Sequence, residues 1–199
     1  MINLFSKFLI IILFNVLNFS YSIADENNAL SLGGEDAKVT VKVFSSLTCP
    51  HCANFHNKIF ENLKKDYIDT KKIKFEHHGF PLDLAALNAE KILRSITDME
   101  KSFEFLSVIY REQDKWAVGS DIKKINNLIK KIGIRFGLSS ERMDSFIADE
   151  QIQDQILNER IEAQKKYKID STPTIYINKK KYAGKHDYTS FKKAIEKLL

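Results

Sequence analysis

The run Val39-Thr40-Val41-Lys42-Val43-Phe44-Ser45 is followed four residues on by Cys49-Pro50-His51-Cys52, and then by Phe55, Ile59 and Leu63 at helical spacing. Valines alternating with Thr40 and Lys42 predict a strand with one buried face. Pro50 suits the first turn of a helix, where its missing N–H would be unpaired anyway. The local order is strand, short loop, Cys-Pro-His-Cys, helix. Cys49 and Cys52 are the only cysteines among the 199 residues. A bridge over two intervening residues would constrain the unfolded chain little, because that effect grows with loop length. Redox chemistry therefore outweighs a purely structural bridge as the reading of this pair.

Upstream, Lys7, the apolar run from Phe8 to Leu17 and the small residues around Ser22-Ile23-Ala24 read as a signal peptide over residues 1–24, cleaved after Ala24. The apolar run is shorter than the ~20 residues of a spanning helix; an uncleaved membrane anchor is the alternative. In either case the folded part is expected to be exported, to a compartment where disulfides persist. Residues 25–36 then form a short N-terminal segment.

Downstream, Ile73 to Glu76 predicts a second strand. From Asp83 to about Lys168 there is no proline and no convincing strand signal. Asp83, Asp121 and Ser139 or Ser140 are candidate helix caps, and Ile152 to Tyr167 reads as a long last helix. Strand character returns at Thr174 to Ile177, pairs back through Lys181 to Ala183, and gives way to a helix over Asp187 to Leu199. Of the large apolar residues, Phe80, Leu82 and Trp116 are assigned to the core.

A composition of 44% hydrophobic and 29% charged residues is that of a globular chain. The net charge of +5 is modest and the lysines are dispersed, so nucleic-acid binding is not expected.

The residues Phe44-Ser45, Cys49-Pro50-His51-Cys52, Phe80-Pro81-Leu82-Asp83 and Ser171-Thr172-Pro173-Thr174, with a helical block between the second strand and Thr172-Pro173, resemble the DsbA-like disulfide oxidoreductases of the bacterial periplasm, members of the thioredoxin superfamily. The resemblance implies an α/β thioredoxin fold carrying an inserted helical domain. The thioredoxin domain would then be split in two, its first stretch spanning residues 37–83 and its second residues 169–199, with the insertion at 84–168 between them. The resemblance also implies that Pro173 follows a cis bond and that Thr172 and Pro173 bind substrate. It further implies a monomer that oxidises reduced exported proteins and is itself reoxidised by a quinone-linked membrane oxidase, with the Cys49–Cys52 disulfide as the only redox group.

Two departures stand out. The acid that relatives bury six residues before the first cysteine is replaced by Val43, with Glu76 as a candidate substitute. Thr172 stands where the best-known members carry valine, which leaves the direction of exchange open between oxidase and isomerase or reductase.

The chemistry needs a thiolate. Cys49 at the start of a helix meets unpaired N–H groups and the positive end of the helix dipole, and His51 adds a donor and a potential positive charge. Cys52, one turn on, is expected to be buried and to close the disulfide. A metal site of Cys49, Cys52 and His56, with His77 or His78, is the competing reading, in a metal- or peptide-binding chaperone without turnover. His77 and His78 read otherwise as solvated loop histidines.

Overall fold

The structure is a computed structural model that describes residues 29–199. The signal-peptide reading of residues 1–24 lies outside the described residues. Among those described, β1 (Leu30–Gly33), β2 (Val39–Ser45), β3 (Ile73–Gly79), β4 (Thr174–Ile177) and β5 (Lys180–Lys181) form one sheet in the order β1-β3-β2-β4-β5. β2 and β3 are parallel and the other neighbours antiparallel. Sequence pattern does not reveal β1 in the short N-terminal segment. It holds only four residues, too few for alternation to show.

A parallel pair needs a crossover, and the helical run after Cys49 supplies it. The run comprises α1 (Pro50–Phe55), a π-helical turn (His56–Phe60), α2 (Glu61–Leu63) and a second π-helical turn (Lys64–Ile68). Phe55, Ile59, Leu63 and Tyr67 recur every four residues and all are buried. A helix of 3.6 residues per turn would rotate such a stripe away from the sheet. The wider π turns keep it facing inward.

The helical block contains α3 (Leu84–Arg94), α4 (Met99–Arg111), α5 (Gln113–Trp116), α6 (Ile122–Ile134), α7 (Ser140–Ala148) and α8 (Glu150–Tyr167). Asp83, Asp121 and Ser139 cap α3, α6 and α7 through their side chains. Asp98 and Asp149 do the same for α4 and α8. After β5, Asp187 caps the closing helix α9 (Tyr188–Glu196).

Side chains alternate across a sheet. Val39, Val41 and Val43 share one face with Ile73, Phe75 and His77, their partners in the β2–β3 register. That face carries the crossover and α4, joined by the ring contacts Phe60–Phe75 and Phe75–Phe103. The opposite face presents Lys42, Phe44, Glu76 and His78, with Phe44 packed against Tyr167 of α8 and Tyr176 of β4. Trp116 is buried and its Nε1–H donates to the Ile109 carbonyl at 2.8 Å. Phe80 is buried as expected, but Leu82 is 54% exposed, because it lies in the bend between β3 and α3, where its N–H is tied to Ser46 Oγ and its side chain is left outside the core.

Candidate active site

The loop from Ser46 to Thr48 carries the chain from the end of β2 to the start of α1. It is held on both sides. Thr48 Oγ1 donates to Asp83 Oδ2 at 2.7 Å, the Leu82 N–H reaches Ser46 Oγ at 3.3 Å, and the Phe80 N–H pairs with the Ser45 carbonyl at 2.8 Å. From the helical block, Gln113 Nε2 donates to the carbonyls of Leu47 (2.7 Å) and Cys49 (3.2 Å). Sequence reasoning misses Gln113. Nothing local marks a glutamine sixty-four residues away as the clamp of a loop.

Cys49 is the N-cap of α1, with extended backbone, and Pro50 occupies the first turn. Both cysteines are free thiols. Cys49 is 8% exposed and Cys52 1%. The Thr172–Pro173 bond is cis, and the Cys49 Sγ–H donates to the Thr172 carbonyl at 3.3 Å. The structure thus brings together Cys49, Cys52, Thr172 and Pro173 from two distant parts of the chain.

The two thiols titrate in opposite directions. Cys49 is lowered to about 5. A hydrogen bond from the Cys52 side chain is the chief cause. Partial burial opposes it, and the Thr172 side chain and the backbone N–H groups of Cys52 and His51 add to it. Cys52 is pushed far up, first by burial and then by the neighbouring Cys49 sulfur. The Thr172 hydroxyl is buried and closes no hydrogen bond of good geometry, yet it lies close enough to favour the charged form of both sulfurs. The His51 side chain is exposed; what it contributes to Cys49 comes through its backbone N–H.

The other histidines correct the sequence reading. His77 is not a solvated loop residue. It lies within β3, with Nδ1 3.3 Å from Ser45 Oγ and Nε2 3.3 Å from Glu90 Oε2. His78 is largely buried on the other face, 3.0 Å from Glu76 Oε2. His56 is buried, turned to Ser107 Oγ at 2.8 Å, and stacked on Phe60. Among the described residues, no group of three or more His, Cys, Asp or Glu is arranged to hold a metal ion.

Glu76 does not replace the acid missing at Val43. The register pairs Val43 with His77, so Glu76 points to the sheet face away from α1. There it meets Lys42 at 3.0 Å and Lys74 at 3.9 Å.

Comparison with known proteins agrees with this geometry. A family model described as Thioredoxin matches residues 25–197. The chain is 32% identical over 180 residues to disulfide bond formation protein D of Bacillus subtilis, covering 84% of this chain and 76% of that protein. It is 31% identical over 163 residues to a Rickettsia bellii protein named, as a provisional assignment, a protein-disulfide oxidoreductase. That match covers 82% of this chain and 62% of the longer Rickettsia protein. The crystal structure of alpha-DsbA1 from Wolbachia pipientis superposes with a TM-score of 0.81 at 29% identity, covering 87% of this chain and 92% of the other. The chain belongs to the thioredoxin family, and within it is similar to the DsbA-like disulfide oxidoreductases.

Proposed function

We propose that this protein is a thiol–disulfide oxidoreductase that introduces disulfides into exported proteins through Cys49 and Cys52. The carrying observation is the division of labour between the two sulfurs: Cys49 at a helix start with its thiol lowered to about 5, Cys52 behind it and held protonated. A stable Cys49 thiolate stabilises the reduced form, which makes the disulfide oxidising. A substrate thiolate attacks Cys49, the Cys49–Cys52 bond breaks, and Cys52 leaves and takes up a proton. A second substrate thiolate then attacks the substrate sulfur of the mixed disulfide. The substrate disulfide forms and Cys49 departs as thiolate, two electrons having passed to the protein. No added cofactor is needed, since the cysteine pair carries the electrons.

The partners on this reading are reduced, unfolded polypeptides and a quinone-linked membrane oxidase, met by a monomer in the periplasm. The Thr172 backbone beside Cys49 can pair with an extended peptide, and Leu82 and Leu84 expose apolar surface on either side of Asp83, which is tied to Thr48. Among the described residues no helix is long and apolar enough to cross a membrane.

Equilibration with glutathione tests the direction of transfer. A potential at or above the ~−180 mV of protein disulfide isomerase is expected. A value near the ~−270 mV of thioredoxin would replace the oxidase reading with a reductase. Alkylation of Cys49 against pH is expected to turn on near pH 5, and a midpoint near the ~8.5 of a free thiol would remove the mechanism.

A further inference from the structure

The hairpin of β4 and β5 and the end of α9 enclose a cavity of about 630 Å³, a volume typical of small-ligand sites. Ile177, Tyr182, Ala194 and Leu198 give it an apolar lining. The Tyr182 wall is fixed in place. Its ring centroid lies 4.1 Å from that of Phe191, and its hydroxyl donates to the Lys185 carbonyl at 2.8 Å. Gly184 leaves room for that ring, since a Cβ there would fall 2.5 Å from Tyr182 Cζ. The exposed lysines Lys179, Lys180, Lys181 and Lys197 also line the cavity. Lys181 has Asp170 at 3.5 Å. Glu196, beside Lys197 in the chain, is taken by Tyr67 at 3.0 Å and Lys192 at 3.8 Å. Among the described residues, Lys179, Lys180 and Lys197 form no ion pair.

We infer that this cavity binds a single-chain amphiphile with an anionic head, its hydrocarbon between the hairpin and α9 and its carboxylate, sulfonate or phosphate against the lysines. Apolar walls open to water gain by covering themselves with hydrocarbon. Ammonium groups on flexible stems can gather around an anionic head of any of these kinds, and they repel a cationic one. Lysines on β5 alone would be accounted for as protection of a free sheet edge against pairing. Lys197, however, follows α9 and lines the same cavity. Edge protection explains neither that lysine nor the apolar lining.

Such binding is independent of the exchange reading of Cys49 and Cys52, because the two sites lie at opposite ends of the sheet. The Asn178 N–H donates to the Thr40 carbonyl at 2.7 Å, and Asn178 Oδ1 accepts from the Thr40 N–H at 2.8 Å. Asn178 Nδ2 donates to the Lys38 carbonyl at 3.2 Å. The hairpin turn is thereby pinned to the start of β2, whereas Cys49 follows the end of β2. β4 spans the distance between them, running from Thr174, next to the cis Pro173, to Ile177 at the cavity. An occupant therefore leaves Cys49 and Thr172 open to a polypeptide.

Calorimetric titration with dodecanoate, kept below its micelle concentration, tests this, beside dodecyltrimethylammonium, which has the same chain and the opposite charge. Dodecanoate should bind one to one and more weakly as salt is added. The ammonium compound should bind about tenfold more weakly or worse. Amide shift changes on adding dodecanoate should cluster at residues 177–184 and 194–198, a readout that needs no variant. Ala183 lines the cavity from an exposed position, so Ala183→Trp should fill it and abolish binding. Lys180→Glu combined with Lys197→Glu should weaken binding about tenfold. The midpoint of Cys49 alkylation should stay at its wild-type value in all of these variants. No binding of dodecanoate, equal affinity for the two heads, or undiminished binding by Ala183→Trp would overturn the proposal. Binding to phosphatidylglycerol vesicles without binding of free dodecanoate would also overturn it, and would assign the lysines to a membrane surface.

Discussion

His77 and His78 are neighbours on one strand and each meets a glutamate, but the two pairs lie on opposite faces of the sheet. His77 and Glu90 sit on the face that carries Cys52, closed in by the crossover, α3 and α4. His78 and Glu76 sit on the far face, 19% and 11% exposed, beside Lys42 and Lys74. The glutamates also differ in origin: Glu76 is on β3 itself, Glu90 on the first helix of the inserted block. In both, burial opposes the charge and partners outweigh it. Glu76 is held down at about 2 by His78 and Lys42, and Glu90 is held low by His77 and Arg94. Because strand side chains alternate, a shift of one residue along β3 exchanges one face of the sheet, and one glutamate partner, for the other.

Removing each acid should separate the two sites most strongly. Glu90→Ala strips the buried His77 and Arg94 of their common partner and should cost about 3 kcal/mol or more. Glu76→Ala removes a partly exposed partner and should cost about 1–2 kcal/mol, between exposed and buried pairs. Urea unfolding of both variants measures the contrast, and equal losses would show that burial does not separate the two sites.

Glu76 on the far face also gives stability a pH dependence. The folded value of Glu76, about 2, lies below its ordinary 4.5. Its contribution is therefore present above about pH 4.5 and lost as pH falls toward 2. Glu76→Gln should unfold with a flatter pH dependence than wild type across that window. A wild-type-like slope in the variant would assign acid lability to other carboxylates.

The smallest effect is expected at the front of the site. Thr172→Val removes a hydroxyl that favours both thiolates. The midpoint of Cys49 alkylation should rise by about half a unit to one unit, with stability nearly unchanged. A larger shift would make Thr172, and not the Cys52 hydrogen bond, the leading cause of Cys49 acidity.

Much of this is legible in sequence because it depends on near neighbours. The β2 strand, the helix start at Cys49 with Pro50 in its first turn, and the caps at Asp83, Asp121, Ser139 and Asp187 are written in residues a few positions apart. The pairing of Cys49 with Thr172-Pro173 is reached only through family resemblance, since no spacing rule joins residues that far apart. The four-residue stripe Phe55, Ile59, Leu63, Tyr67 reads as ordinary helix in sequence, though its period already matches the π turns.

Local pattern alone places a lone cysteine pair at a helix start after a buried strand, which is enough to point to disulfide exchange. Which acid reaches the helix-covered face of the sheet depends on packing between distant segments. Alternation along β3 is visible in sequence, but the register that sets His77 against Val43, and the packing of α3 that brings Glu90 to His77, are relations between distant segments. Such relations follow from filling the core as a whole, so no local pattern encodes them.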